Sequence, residues 1–269
     1  MVRVLRKMAG IRSEIGRGWY IGGAIFTFLI ILLGWMILTS LRLVDPVFLP
    51  NPAEVLKQFI VQVTAGSLWR DMGISIFRVM TGFLIALVIA FPLGVIAGTF
   101  RFAEALMIPV TEFIRYMPVP AFIPLIMVWA GIGEMAKIMV IFLGTFVQML
   151  LMVADNTRSV PQDLLHVSYT LGARRKQVVR HVLIPAMMPS LFDTLRLTIG
   201  WAWTYLIVAE LVASNSGLGY RILKAQRFLE TDVIFVGIFV IGLLGLITDR
   251  LFAIAKPRLF PWLEGGESR

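Results

Sequence analysis

Long apolar runs, separated by shorter polar stretches, make up most of this chain. A helix that crosses a bilayer needs about 20 mainly apolar residues in a row. Because the runs are long and do not alternate residue by residue, they predict helices and not the strands of an outer-membrane barrel. We therefore predict an all-α transmembrane fold with about six spans, at Tyr20–Leu41, Ile76–Gly98, Leu106–Trp129, Met135–Val153, Pro189–Val212 and Val233–Ala255.

Prolines interrupt the third predicted span at Pro118, Pro120 and Pro124. Proline has no backbone N–H to donate, so it breaks a helix. Broken helices persist in membranes where they line a cavity or pack against protein. The break therefore indicates either part of a path through the membrane or a structural kink. A shorter amphipathic turn at Ala53–Val63 predicts either a helix on the membrane surface or a packed loop helix.

Positively charged residues are concentrated in alternate loops. With the N-terminus in the cytoplasm, fifteen Lys and Arg residues lie in or near the cytoplasmic segments and seven in or near the external segments, with Arg250 and Lys137 counted at the ends of their spans. Such an excess marks cytoplasmic loops in membrane proteins, so both termini are predicted inside the cell. The same distribution argues against nucleic acid as a partner, despite the net charge of +9. The predicted organisation is a cytoplasmic arm at 1–19, a membrane domain at 20–256 with a cytoplasmic loop at 154–188, and a cytoplasmic tail at 257–269.

Composition narrows the function further. Hydrophobic residues make up 58% of the sequence and charged residues 15%, whereas soluble domains average about 25% charged. The absence of cysteine and the presence of two histidines exclude disulfides and cysteine-ligated zinc, and speak against any metal site. The sequence contains no Gly-x-x-x-x-Gly-Lys-Ser/Thr loop for phosphates and no convincing nucleophile–histidine–acid set. We expect no enzymatic activity and no cofactor on this chain.

The first apolar run is too long for a signal peptide, so we expect it to be retained.

The loop at 154–188 is too polar to span the membrane and too regular for a linker. Leucines and valines recur there at helical spacing, from Leu164 to Val182. We predict two short helices separated at Gly172, because glycine adopts the left-handed conformation that ends a helix. The second helix begins with the basic run Arg174 to Lys176 and is predicted to end before Pro185.

Gly172, nine further residues and then Val182-Leu183-Ile184-Pro185 resemble the "EAA" loop of bacterial ABC importer permeases. The Glu-Ala-Ala positions of that loop are His166, Val167 and Ser168 here, so the match is partial. The resemblance extends to the nitrate/sulfonate/taurine branch of these permeases through other segments, Ile114–Leu125, Trp129–Ile132, Val160–Gln162 and Gly200–Tyr220.

The resemblance implies the fold of a type I ABC importer permease in the bacterial inner membrane. It implies partner ABC ATPases that hold ATP and Mg²⁺, a second permease copy, forming a homodimer, and a solute-binding protein outside. The solute would be a small anion such as nitrate, bicarbonate or an organosulfonate such as taurine. In the family, the loop forms a coupling helix that docks on the ATPase; the matching residues are His166, Val167, Ser168, Gly172, Ala173, Arg174, Arg175, Val182, Ile184 and Pro185.

Ionisable and aromatic residues inside the predicted spans are candidates for the translocation path. Glu112 with Arg115, and Asp193 with Arg196, are spaced to form ion pairs on one helix face. The arginines either face the path and favour anions or pin neighbouring helices, because an unpaired charge in a membrane is costly. The candidate path and gate residues are Arg115, Met117, Pro118, Val119, Pro120, Trp201, Trp203 and Tyr205.

Two other features carry weaker predictions. The spacing of Gly94 and Gly98 permits close contact with another helix, and Arg78 with Asp71 is predicted to mark the outer interface. An ion-driven carrier and a membrane-embedded enzyme are the alternative functions. Carriers usually have more spans and internal repeats, while an embedded enzyme would need facing catalytic groups that the sequence does not place together.

Overall fold

The structure, a computed structural model, describes residues 16–263. Residues 1–15 and 264–269, which include most of the predicted arm and part of the tail, lie outside this range. Every regular element within 16–263 is helical, as predicted. The helices are α1 (Arg17–Ser40), α2 (Pro52–Thr64), α3 (Ser67–Thr99), α4 (Arg101–Arg115), α5 (Ile123–Ala130), α6 (Glu134–Arg158), α7 (Gln162–Thr170), α8 (Arg175–Val178), α9 (Ile184–Ala213), α10 (Leu218–Arg227) and α11 (Thr231–Leu259).

Five helical stretches are long and apolar enough to cross a membrane. They are α1, α3, α6, the continuous stretch from α8 into α9, and α11. The sixth predicted span is the pair α4 and α5, which is bent by 93° at the proline-rich break. The predicted count of about six spans is therefore confirmed.

Helices α3, α6 and α9 form the centre of the bundle, while α1 lies on its outside with no buried residue in its apolar window. Glycines of α3 allow α6 to approach closely. A Cβ atom added at Gly94 would lie 2.7 Å from Val153 Cβ, and one at Gly98 would lie 2.5 Å from Thr157 Cβ. Both distances are far shorter than a carbon–carbon contact. The close contact predicted at Gly94 and Gly98 is therefore confirmed.

Helix α2 is a packed loop helix. Asn51 caps it: the Asn51 Oδ1 atom accepts a hydrogen bond from the Ala53 N–H at 2.9 Å, and Glu54 Oε2 accepts one from the Asn51 N–H at 3.2 Å. Val55 and Gln62 are buried where α2 meets its neighbours α11 and α3. Of the two alternatives for Ala53–Val63, the structure favours the packed helix.

Candidate functional site

The break between α4 and α5 forms one wall of a partly open cavity. A short 3₁₀ turn at Val119–Phe122 joins the two helices, and Pro118 precedes it in an extended conformation. Pro120 and Pro124 stand in the first turns of the 3₁₀ segment and of α5. A proline there has no interrupted hydrogen bond, because the first N–H groups of a helix are unpaired in any case. The chain bends by 93° at this proline-rich break.

The cavity has a volume of about 240 Å³. The α4–α5 break faces helices α6 and α9 across it. Five of the eight predicted path residues line the cavity, namely Arg115, Met117, Val119, Trp201 and Tyr205. The remaining lining residues are Ile114, Phe122, Leu143, Gly144, Val147 and Gln148.

Gly144 brings α6 and α9 together at the cavity. A Cβ atom added there would overlap the ring of Tyr205, so the absence of a side chain is what admits this ring. Trp203 lies elsewhere: it is buried, and its indole N–H donates to Thr248 Oγ1 of α11 at 3.2 Å. Trp203 therefore packs helix against helix and does not reach the cavity.

Polar groups around the cavity have few partners within the chain. Arg115 Nη2 donates to the Tyr116 hydroxyl at 3.1 Å, and its guanidinium lies 5.0 Å from the centre of that ring. Among residues 16–263, no carboxylate forms an ion pair with Arg115, and the side chains of Gln148, Trp201 and Tyr205 make no hydrogen bond. The cavity therefore presents hydrogen-bond donors and one positive charge to whatever enters it.

The predicted ion pair between Glu112 and Arg115 does not form. Arg115 is the last residue of α4, and its side chain turns toward Tyr116, which follows the helix. The predicted pair of Asp193 with Arg196 is also wrong.

Both of these residues on α9 bind partners on α11 instead. Arg196 is held by Asp249, with Nε–Oδ1 and Nη2–Oδ2 distances of 2.5 and 2.8 Å, and Asp193 is held by Lys256 at 2.7 Å. The packing of α9 against α11 offers each side chain an opposite charge across the interface. Neither arginine nor aspartate here faces the cavity.

The cavity is one candidate site, and the connection between α6 and α9 is the second. Helix α7 ends as predicted at Gly172, whose φ of +84° is left-handed. The Gly172 N–H donates to the Tyr169 carbonyl at 2.9 Å, and the Ala173 N–H to the Ser168 carbonyl at 3.0 Å. These are the two bonds of a Schellman motif. Glycine tolerates this conformation without strain.

Two apolar side chains at the C-terminal end of α7 are exposed on the surface of the chain. Val167 is 58% exposed and Leu171 is 83% exposed, although both are apolar. His166 also lies on the exposed surface, while Ser168 donates from its hydroxyl to the Leu164 carbonyl at 2.6 Å. An exposed apolar patch of this kind is available for contact with another molecule.

The helix that begins after Arg174 does not end before Pro185, in contrast to the prediction. A π-helical turn at Val179–Leu183 joins α8 directly to α9, so one continuous helix runs from Arg175 to Leu211. The wider π turn accommodates Pro185, whose ring excludes an ordinary α-helical hydrogen bond. Val182 and Ile184 therefore belong to a stretch that leads without a break into the span.

The basic start of this helix is anchored to α3, since the Arg175 guanidinium lies 4.8 Å from the centre of the Phe100 ring, next to the end of α3.

Sequence reasoning missed a buried charge cluster at the opposite ends of α6 and α9. Arg78 with Asp71 is predicted only to mark the outer interface, whereas in the structure Arg78 forms ion pairs with Glu134 and Glu210, at 2.6 Å each. Asp71 binds Arg221 instead, at 2.6 Å. The partners of Arg78 are 56 and 132 positions away in sequence, so local spacing could not find them. The one available signal was the cost of a charge within a span, which requires a partner of opposite sign.

The residues that the structure describes contain no group of three His, Cys, Asp or Glu side chains that could hold a metal ion. The chemistry available at the two sites is thus binding of an anionic or hydrogen-bond-accepting molecule in the cavity, and docking of a protein at α7.

The sequence of this chain is similar to those of known membrane transport proteins. Residues 90–261 match the family model described as "Binding-protein-dependent transport system inner membrane component". The chain is 37% identical to a probable ABC transporter permease protein of Brucella abortus, over 86% of this chain and 91% of the relative. It is 32% identical to the taurine transport system permease protein TauC of Escherichia coli, over 89% of each chain.

Among solved structures, the chain is similar to an inward-facing conformation of the MetNI methionine ABC transporter. The TM-score is 0.56, with 20% sequence identity, over 71% of this chain and 95% of the other. At this identity the similarity concerns the fold.

Proposed function

We propose a transport mechanism from one premise: this chain belongs to the family of binding-protein-dependent transport system inner membrane components. It is a permease subunit of an ABC importer, a multi-pass protein of the inner membrane. The hydrolysis of ATP belongs to a separate chain, since the relatives are named as permeases. The assignment argues against the alternatives of an ion-driven carrier and a membrane-embedded enzyme.

The observation that carries the proposal is the position of α7 between two central helices. The ATPase, which binds ATP and Mg²⁺, docks on α7 through the exposed Val167 and Leu171. The basic residues Arg174 and Arg175 follow directly and add attraction to an acidic partner surface. Because α8 continues into α9, a displacement of α7 passes through the short turn at Gly172 to α8 and from there along the continuous helix into α9. The coupling residues are His166, Val167, Ser168, Gly172, Ala173, Arg174, Arg175, Val182, Ile184 and Pro185.

The solute crosses beside the α4–α5 break. Arg115 and Trp201 remain exposed in the single chain, and a second copy facing them would close the cavity into a path. The functional unit is therefore a homodimer with two ATPases and an external binding protein. Binding and hydrolysis of ATP alternately open the path to either side of the membrane. Met117 and Val119, together with Trp201 and Tyr205, narrow it.

The solute is a small anion. Arg115 is held by no carboxylate within residues 16–263, unlike the arginines at 78, 158, 196 and 221. A positive charge without a counter-ion at membrane depth is costly, and an anionic solute would supply the missing partner. The similarity to a taurine permease supports an organosulfonate; nitrate and bicarbonate are the other anions considered.

The orientation and the division of the chain follow from the same assembly. Both termini lie in the cytoplasm, with an arm at 1–19 and a tail at 257–269, and the membrane domain at 20–256 carries the coupling loop at 154–188. The excess of Lys and Arg in these segments supports this orientation. The ends of α6 and α9 near Glu134 and Glu210 then face outward, toward the binding protein.

A reconstitution experiment tests the proposal. The permease is purified with its ATPase and binding protein, placed in proteoliposomes, and supplied with radiolabelled taurine, nitrate or bicarbonate. We expect uptake of one of these anions that requires ATP, Mg²⁺ and the binding protein. Uptake that persists without the ATPase, or uptake of a neutral solute only, would contradict the proposal.

A further inference from the structure

All the hydrogen-bond donors of the Arg78 guanidinium are directed at specific acceptors. Nε and Nη2 donate to the two carboxylate oxygens of Glu134 at 2.6 and 2.7 Å. Nη1 donates to Glu210 Oε1 at 2.6 Å and to the Ser216 carbonyl at 2.8 Å. Arginine is suited to this role, because its planar fork matches a carboxylate and always carries its charge. We call Arg78, Glu134, Glu210, Ser75, Ser216 and Gly219 the Arg78 cluster.

The second carboxylate of the cluster is equally well bound. Glu210 accepts from Ser75 Oγ at 2.8 Å and from the Gly219 N–H at 2.7 Å, in addition to Arg78. Ser75 Oγ in turn accepts from the Leu218 N–H at 3.0 Å. Arg78, Glu210 and Ser75 have no solvent exposure. In such a setting each charge depends on its partners, because removal of one leaves another buried without compensation.

The cluster connects four helices at one end of the bundle. Arg78 belongs to α3, Glu134 is the first residue of α6, and Glu210 lies in the last turn of α9. Gly219 lies in the first turn of α10. The coupling loop at 154–188 lies at the other ends of α6 and α9. The 25 residues of α6 place the two ends of this helix about 37 Å apart.

Helices α6 and α9 are thus held at both ends: by the short connection through α7 on one side and by Arg78 on the other. We propose that Arg78 is a positioning residue that makes α3, α6 and α9 move as one rigid unit, so that a displacement of α7 reaches the outer end. This inference rests on the proposed function. It assigns the cluster a part in transmission, beyond its contribution to folding.

Alternative roles fit the geometry less well. A gate that opens would need groups that can separate and be solvated, whereas the cluster is internal to one chain and its buried charges are satisfied. A solute site would need a donor or acceptor without a partner. Every hydrogen-bonding atom of Arg78 and Glu210 that the structure describes already has one.

Distance measurements with spin labels test the inference directly. The chain contains no cysteine, so one introduced cysteine per copy gives one label pair per homodimer. Arg180→Cys reports on the coupling end and Gln226→Cys on the outer end; both residues are exposed. Each pair distance is measured in the complex with its ATPase, without nucleotide and after trapping with ATP and vanadate.

The test compares Arg78→Lys and Glu134→Gln with the unmodified cluster. Lysine keeps the charge of Arg78 but cannot bind two carboxylates in a fork. Glu134→Gln is the milder change, because the Glu134 side chain is 51% exposed, and it answers the question if Arg78→Lys does not fold. The matched control is Asp249→Asn, which removes a carboxylate from a forked arginine pair outside the cluster.

We expect both variants to keep the change in distance at Arg180→Cys and to lose about half or more of the change at Gln226→Cys. The control should keep both. An undiminished change at both labels would overturn the inference, and so would an equal loss at both, which indicates general loosening. Absence of any nucleotide-dependent change in the unmodified protein would instead contradict the proposed function.

Discussion

Arg78 and Glu210 are 132 positions apart in sequence, yet Arg78 Nη1 donates to Glu210 Oε1 at 2.6 Å and neither side chain is exposed. The bond joins the first half of α3 to the last turn of α9. It is supported by Glu134 from α6, so the three central helices share one buried charge centre.

Removal of Arg78 should destabilise the fold strongly. Arg78→Met leaves Glu210 buried without its cation, and we expect a loss of about 3–5 kcal/mol of stability. The double substitution Arg78→Met with Glu210→Met should recover part of the loss, because the unpaired charge is gone. Thermal unfolding in detergent measures both. If the loss in the double variant equals the sum of the losses in Arg78→Met and Glu210→Met measured separately, the charges are not coupled.

Gly217→Ala should disturb the same cluster through the backbone. Gly217 has a φ of +108°, and an added Cβ would press on the Glu210 carboxylate and on Arg78. We expect a clear fall in melting temperature, since a side chain is strained at this φ and also lacks space. Gly200→Ala is the matched control: nothing lies within 4 Å of its added Cβ, and it sits within a helix. It should be neutral or slightly stabilising. A similar response of the two variants would contradict the steric argument.

Arg115→Gln should reduce uptake of the anion at least about tenfold, corresponding to roughly 1.4 kcal/mol or more of lost interaction. The measurement is the initial rate of uptake into proteoliposomes. Arg196→Gln serves as the control, because Arg196 is neutralised by Asp249 away from the cavity, and it should retain transport. If both variants transport alike, Arg115 does not recognise the solute.

Charge reversal in the coupling segment should release the ATPase. We expect Arg174→Glu with Arg175→Glu to remove most of the ATPase that co-purifies with the permease, since repulsion replaces attraction at the docking surface. Arg227→Glu, at the far end of α10, reverses one arginine charge away from the docking surface and should have no effect. Unchanged co-purification of the double variant would place the docking site elsewhere.

The exposed apolar side chain of Leu171 permits a separate test of the same surface. It is 83% exposed, so Leu171→Asp should leave the free energy of unfolding of the isolated permease within about 0.5 kcal/mol of the original value. We expect the same change to weaken ATPase binding when the partner is titrated. A loss of permease stability would mean that Leu171 packs within the chain.

Much of the architecture follows from local features of the sequence. The apolar runs predict the spans because crossing a bilayer requires a minimum length. Helices α3, α6 and α11 each contain the corresponding predicted span and extend beyond it at both ends. Gly172 predicts the end of α7 because its φ of +84° suits glycine. The break at Pro118 is predicted for a similarly local reason, the missing N–H of proline.

Pro185 shows where local rules fail. A proline ordinarily ends a helix at the preceding residues, yet the π turn at Val179–Leu183 carries the helix through to α9. A single π turn, whose hydrogen bonds join residues five apart, accommodates the proline ring within the helix. Whether such a turn forms depends on how the segment packs. Propensity alone could not distinguish the two outcomes.

The location in a membrane, the helical spans, the broken third span and the end of α7 at Gly172 can be read from the amino-acid sequence alone, because each depends on neighbouring residues. Which charges meet depends on the packing of the helices. Arg78 binds Glu134 and Glu210, Arg196 binds Asp249, and Arg115 is left facing a cavity without a carboxylate. An ion pair requires atoms within about 4 Å, and that distance between helices is set by how they pack, which spacing along the chain does not encode.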